Sequence, residues 1–271
     1  MTTDTVLVQP TDKILTRVDG ADGQVIFNNP KRHNAVSLEM WDAMEQALAA
    51  FAEDDTVRVT VLSGAGGKAF VSGADISNFE TERGSKEANE RDDTRLRAVC
   101  HAIENYPKPT IAMIKGHCIG GGLNLAACTD MRIASAKSFF GMPTVKLSPG
   151  YPFDAIRRLV DAAGAAAAGQ LMFMVRPIDA ETALRIGLVQ EVVAEDALEE
   201  RVAALADAVA GDAPLTIWAM KYVATQVTQT DPSARDLVRC EAMVADCFAS
   251  EDYVEGRRFF MERRKPDFKG R

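Results

Sequence analysis

Two short stretches of this chain put small residues where a backbone would have to touch a ligand. One is Ser72-Gly73-Ala74-Asp75-Ile76, reached through Lys68-Ala69-Phe70-Val71; the other is Gly116-His117-Cys118-Ile119-Gly120-Gly121-Gly122-Leu123-Asn124. Each follows a strand-like apolar run, and the second leads into the helical stretch Leu125 to Cys128. Glycine and alanine let a ligand approach the main chain closely. Gly121 would stand at a helix N-terminus, where unpaired N–H groups and the dipole favour negative charge. Two backbone donors converging from separate loops make an oxyanion hole, which stabilises charge developing on a carbonyl oxygen. Taken singly, each stretch reads as a tight packing turn.

Few side chains near these stretches can move a proton. His117 lies in the turn before the triple glycine and reads as a packing or backbone-bonded ring. His33 reads as a solvent-rim residue and His101 as a helix-face residue. Asp75, Asp154 and the phenol of Tyr151 are the remaining candidates. The cysteines at 100, 118, 128, 240 and 247 are odd in number and show no metal-ligand spacing, so they read as buried thiols with no metal site.

Gly64-Ala65-Gly66-Gly67-Lys68-Ala69 formally matches a dinucleotide fingerprint, but that fingerprint must open a helix. Here the chain runs on into Phe70-Val71-Ser72-Gly73, which reads as extended. The phosphate-loop pattern fails at Ala69, and there is no G-x-S-x-G elbow and no H-E-x-x-H.

The elements that would carry these groups form an α/β pattern. Ile14 to Val18, Val25 to Phe27, Val57 to Leu62, Thr110 to Ile114 and Met131 to Ile133 read as strands. Ser37 stands where it can cap a helix in which Met40, Met44, Leu48 and Phe51 recur at helical spacing. A second helix is expected from about Asp93 to Tyr106, ending at Pro107-Lys108-Pro109. Beyond Ala155 the segments 153–174, 179–187, 195–210, 213–228 and 233–263 read as helices, with strand alternation only at Val189 to Val193. The expected organisation is a core over 1–195 and a helical region over 196–271.

With 47% hydrophobic residues the chain can bury its own core, and no apolar run reaches the ~20 residues of a membrane span. A net charge of -8 argues against nucleic acid as a partner. The N-terminus lacks the basic and apolar regions of a secretory signal, so a cytoplasmic protein is expected. The tail 257–271 departs from the acidic average, with seven Lys or Arg, and reads as a solvated helix end or as an anion site.

Several longer motifs, in order along the chain, resemble the crotonase (enoyl-CoA hydratase/isomerase) superfamily. They are FNNPKRHNAVS at 27–37, KAFVSGADIS at 68–77, YPKPTIAMIKGHCIGGGLNLAACTDMRIAS at 106–135, PIDAETALRIGLVQEVV at 177–193 and RRKPDF at 263–268. The resemblance implies a spiral of ββα units followed by a C-terminal helical trimerisation region, with trimers often paired into hexamers. It implies an acyl-CoA substrate, no cofactor beyond the coenzyme A moiety, and the N–H groups of Ala74 and Gly121 on the thioester oxygen. Lys31, Arg32, His33 and Ser72 to Ile76, including Asp75, would line the coenzyme A, with Gly120 and Pro143 alongside. The basic tail would reach a phosphate across a subunit boundary.

The chain departs from the hydratase pattern at both catalytic carboxylates. By the same resemblance, hydratases carry one glutamate two residues after the triple glycine, where this chain has Asn124, and another after the proline of the next loop, where it has Thr144. Neither side chain exchanges a proton usefully near neutral pH, although each can orient a substrate or a water. Tyr151, in the bent segment Pro149-Gly150-Tyr151-Pro152, then reads either as a proton donor or as a wall of the acyl pocket. Asp154 reads as its helper or as a first-turn helix residue. Some decarboxylating members of the family carry a tyrosine in this loop. The expected activity is acyl-CoA chemistry through a held enolate, with decarboxylation of a malonyl-type thioester as one alternative and isomerisation as another. A non-catalytic acyl-CoA binder is the reading from a different class.

Overall fold

The computed structural model describes residues 11–75, 86–146 and 150–271, with the backbone alone for 86–92, Thr144 and Lys146. Alternating buried and exposed residues in β1 (Ile14–Asp19) and β2 (Asp22–Phe27) pair these strands as an antiparallel hairpin. β3 (Val59–Gly64) joins β2 in parallel, and β5 (Thr110–Ile114), β7 (Met131–Ser135) and β10 (Glu191–Val193) extend the sheet in the order β1-β2-β3-β5-β7-β10. The central strands are buried on both faces, hence their continuous apolar runs.

A second sheet has the order β4-β6-β8-β9, from β4 (Ala69–Val71), β6 (His117–Ile119), β8 (Phe139–Gly141) and β9 (Ile178–Asp179). Each of β3, β5 and β7 is thus followed at once by a strand of this second sheet. Helices α1 (Leu38–Glu53), α2 (Lys86–Glu104) and α3 (Gly121–Ala127) return the chain to the first sheet. The result is the expected spiral of ββα turns. After it come α4 (Phe153–Ala163), α5 (Ala165–Phe173), α6 (Ala180–Arg185), α7 (Leu198–Ala210), α8 (Pro214–Val227), α9 (Leu237–Ala249) and α10 (Glu251–Glu262).

The main core gathers Phe27, Met40, Trp41, Phe51, Phe70, Ile103 and Phe140, with α1 buried along the apolar stripe its spacing predicts. A second cluster lies under α7, where Leu198, Val202 and Ala206 meet Val59, Val61, Ile111 and Ile133 of the sheet. Lys221 of α8 is tied to the core by bonds to the Lys108 carbonyl (2.8 Å) and to Asp130 (2.7 Å). Among the described residues, no single helix is long and apolar enough to cross a membrane.

Some boundaries differ from those the pattern predicts. The segment 153–174 breaks at Gly164, whose φ of 79° and ψ of 156° suit glycine alone. The helix expected over 233–263 is two helices, because the Ser250 hydroxyl accepts the Tyr253 N–H at 3.1 Å and caps α10. The second helix begins well before Asp93 and ends at Glu104. Ser37 does occupy the N-cap position, but its hydroxyl makes no cap bond. The first turn closes instead on the Ser37 carbonyl, which accepts from Met40 and Trp41 at 3.0 and 3.2 Å.

Asp22, at the start of β2, is only 8% exposed. One carboxylate oxygen accepts from Gln24 at 2.8 Å, and the other finds no partner among the described residues. Burial, with the charges of Asp19 and Asp207 adding to it, pushes the carboxyl up to about 6 against the bond from Gln24 and the charge of Arg17. A folded-state value above the unfolded one means that ionisation opposes folding, so stability falls as pH rises from about 4 to about 6. Asp22→Asn is therefore expected to stabilise the protein by on the order of 2 kcal/mol at pH 7.5 and by little at pH 4. Urea denaturation at both pH values checks this, and equal gains at both would rule out ionisation as the cause.

Candidate active site

The two glycine-bearing loops meet. After β4 the chain turns at Gly73, whose φ is +104°. The Gly73 carbonyl accepts from the Val36 N–H at 2.9 Å and the Asp75 N–H donates to the Val36 carbonyl at 3.0 Å, which pairs Ala74 beside Val36 in a parallel bridge. In such a bridge the intervening N–H faces the other way, so that of Ala74 turns from Val36. Gly121 is the first residue of α3, where the first-turn N–H groups have no intrahelical acceptor. Among the described residues, neither the Ala74 nor the Gly121 N–H donates to a protein acceptor.

The approach of the loops is close. A Cβ placed on Gly73 would stand 3.7 Å from the Gly121 nitrogen, and one on Gly121 would stand 3.8 Å from the Gly73 Cα. A Cβ on Gly122 would fall 2.1 Å from the Val71 carbonyl oxygen, so only glycine lets α3 sit against β4. Two uncommitted donors, one of them at a helix N-terminus, can hold an oxygen that gains negative charge.

Around this pair stands a rim of exposed groups. Lys31, Arg32 and His33 are exposed on the 3₁₀ turn Pro30–Arg32 and its end. The Ser72 hydroxyl donates to the Arg32 carbonyl at 3.4 Å and draws the two loops together. Sequence reasoning missed the residue that fixes this rim, the fully buried Asn34. Its amide nitrogen donates to Ala65 and Ala69 carbonyls at 3.0 and 2.7 Å, and its oxygen accepts the Asn29 N–H at 2.9 Å. The available signal was an asparagine in a polar loop, a type that tolerates the left-handed backbone found here at φ 55°. His117 is exposed; its ring stacks on Phe139 at 5.8 Å and meets the His33 ring edge-on at 6.0 Å.

Asn124, where the family resemblance leads one to expect a hydratase carboxylate, is tied to protein groups. Asn124 is 1% exposed; its amide nitrogen donates to the Ala155 carbonyl at 2.9 Å. Its oxygen accepts from Arg158 at 3.2 Å and from the Cys100 thiol at 3.6 Å. It is the buried, hydrogen-bonded amide that its type suggests. Glu104 receives Arg157 and Arg158 at 2.7 and 2.9 Å. Burial works to raise the Glu104 carboxyl, but the bonds and charge of the two guanidiniums outweigh it and hold it below its ordinary value.

Pro143 and Thr144 lie in the 3₁₀ turn Pro143–Lys146, with the Thr144 side chain outside the described residues, as are Ile76 and residues 147–149. Tyr151 is half-buried and packs against the main core, and Asp154 lies in the first turn of α4. Cys100, Cys118 and Cys128 are buried, and burial pushes the Cys118 and Cys128 thiols well up, which makes them poor nucleophiles. Cys240 and Cys247, expected to be buried, are only half-covered, because α9 lies at the open C-terminal end of the fold. Among the described residues, no three His, Cys, Asp or Glu side chains gather in a way that would hold a metal ion.

The basic tail folds back onto α10. The Lys269 and Gly270 N–H groups donate to the buried Asp252 carboxylate at 2.6 and 2.7 Å, and Arg264 pairs with Glu255 and Glu262. A cavity of about 780 Å³ lies between α8, α9 and α10, lined by Met220, Val223, Val244, Phe248, Tyr253 and Phe268. Its lining is mostly apolar and includes none of the glycine-loop residues.

The chain is similar to known proteins along most of its length. A family model described as enoyl-CoA hydratase/isomerase matches residues 21–271. The chain is 34% identical over 242 residues to a crotonyl-CoA hydratase of Syntrophomonas wolfei, covering 89% of this chain and 92% of that protein. It is 31% identical over 245 residues to a methylmalonyl-CoA decarboxylase of Escherichia coli, covering 90% and 93%. Among solved structures, an enoyl-CoA hydratase/carnithine racemase from Magnetospirillum magneticum superposes with a TM-score of 0.89 at 35% identity, covering 96% of this chain and 97% of that one.

Proposed function

The chain belongs to the enoyl-CoA hydratase/isomerase family of acyl-CoA enzymes, and from that premise we propose that it holds a thioester enolate without a general acid–base carboxylate pair. The observation that carries this reading is the close approach of Gly73 to Gly121, in loops whose Ala74 and Gly121 N–H groups have no protein acceptor among the described residues, beside an Asn124 amide committed to protein partners. The thioester oxygen sits between the two donors and gains charge as the acyl group reacts. Lys31, Arg32, His33, Ser72 and Asp75, with Gly120 and Pro143, line the coenzyme A. Asp154, in the first turn of α4, orients the acyl end. Turnover of a panel of coenzyme A thioesters tests the proposal, and binding without turnover of any member would favour the non-catalytic binder.

Decarboxylation of a malonyl-type thioester is the reaction this site suits best. The α-carbon–carboxylate bond breaks, carbon dioxide leaves, and the electron pair moves into the thioester to give the enolate. No base is consumed in that step. A phenol with an ordinary pKa of about 10 is a competent proton donor to the resulting carbanion. Tyr151, at the edge of the core beside the start of α4, supplies it and recovers its proton from solvent. The likeness to a methylmalonyl-CoA decarboxylase supports this reading.

The assembly is a homotrimer or a pair of trimers. Val238, Phe248, Phe260 and Met261 are 80, 63, 76 and 81% exposed on the last two helices, large apolar side chains that a subunit interface would cover. Sedimentation at micromolar protein is expected to give a trimer or hexamer, and a monomer alone would count against the proposal. In that assembly the tail's exposed Arg257, Arg258, Arg263 and Lys265 reach the coenzyme A phosphates of a neighbour. The protein works in the cytoplasm.

A further inference from the structure

We infer that Glu104, Arg158 and Asn124 form one positioning unit that sets the oxyanion helix α3 against the Tyr151 segment. The inference rests on Gly121 being an oxyanion donor and names what holds it in place.

The three residues come from the end of α2, the middle of α4 and the first turn of α3. Arg158 is 5% exposed, and a guanidinium so buried needs acceptors. It gives one amino group to Glu104 at 2.9 Å and the other to the Asn124 oxygen at 3.2 Å, while its Nε finds no partner among the described residues. Removing the Asn124 oxygen would leave a second donor of this buried cation unpaired, so the chain would have to move. Asn124 stands three residues after Gly121, on the same face of the helix. Its own N–H donates to the Gly120 carbonyl at 3.1 Å, closing the turn that presents the Gly121 N–H. Its side-chain nitrogen holds the Ala155 carbonyl at 2.9 Å, in the helix that begins just after Tyr151. One side chain therefore fixes the direction of the oxyanion donor and the place of the pocket loop.

Residue type matters at this position. The amide donates to one backbone carbonyl and accepts from one cation. A carboxylate would turn an acceptor toward the Ala155 oxygen and draw Arg158 from Glu104. Asn124 is on this reading specialised for positioning and touches no substrate.

The test reads the polarisation of a bound carbonyl. Infrared difference spectra of [1-¹³C]butyryl-CoA on the wild-type protein are expected to show the thioester carbonyl stretch lowered from its free value. Asn124→Asp and Arg158→Lys should still bind the probe stoichiometrically but give back about half or more of that shift. Glu104→Gln keeps an acceptor oxygen for Arg158 and should retain most of it. A purely structural role would lower the melting temperature and leave the frequency of the bound probe unchanged. A wild-type frequency in stoichiometrically bound Asn124→Asp and Arg158→Lys overturns the positioning role. No shift in the wild-type protein overturns the oxyanion reading beneath it instead. Should Asn124→Asp not fold, Asn124→Gln, one methylene longer, takes its place with the same expectation.

Discussion

Gly121→Pro is expected to lower turnover ~10²–10³-fold in a protein that stays folded, the ordinary cost of losing one oxyanion donor. Proline removes the N–H and fixes φ near the helical value, and the first helical position is where it is best tolerated. Gly121 occupies that position in α3. A Cβ there would meet the Leu96 side chain at 3.7 Å and the Gly73 Cα at 3.8 Å, both ordinary contacts. Gly121→Ala therefore serves as the control, since it adds the Cβ and keeps the donor. The alanine variant should stay near wild-type turnover. Equal losses in both variants would point to crowding, and unchanged turnover in a folded proline variant would remove the Gly121 N–H from the mechanism.

Tyr151→Phe should cost ~10²-fold or more in kcat on the protein's own substrate, with the fold and KM little changed. The substitution keeps the ring that packs against the core and takes away only the hydroxyl. A ring that merely walls the pocket predicts almost no change. The contrast is sharp because the Asn124 side chain is already bonded to Ala155 and Arg158. Full kcat in a folded Phe variant would leave the proton donor to be sought elsewhere, with Asp154 the next group to replace.

The parts of this site that could be read in sequence are those where chemistry dictates residue type locally. Backbone donors need small residues at fixed places, so Gly73, Ala74 and Gly121 stand out. The buried stripe of α1 is written in Met40, Met44, Leu48 and Phe51. What could not be read depends on partners distant in the chain. Arg158 lies 34 residues from Asn124 and 54 from Glu104, and no local pattern joins them. Asn34 reaches Ala69 across 35 residues. The break at Gly164 was hidden because its alanine-rich neighbours are strong helix formers. Ser250 looked like one more helix residue until its hydroxyl was seen to cap the next helix.

The proposed function is enolate chemistry in a family member without the hydratase carboxylate pair. Its most direct test is the steady-state rate of crotonyl-CoA hydration by the purified protein, run beside carbon dioxide release from a malonyl-type thioester under the same conditions. The enolate mechanism predicts hydration far below the ordinary enzyme range of ~10 s⁻¹ and measurable carbon dioxide release. Hydration at ~10 s⁻¹ or faster would contradict it.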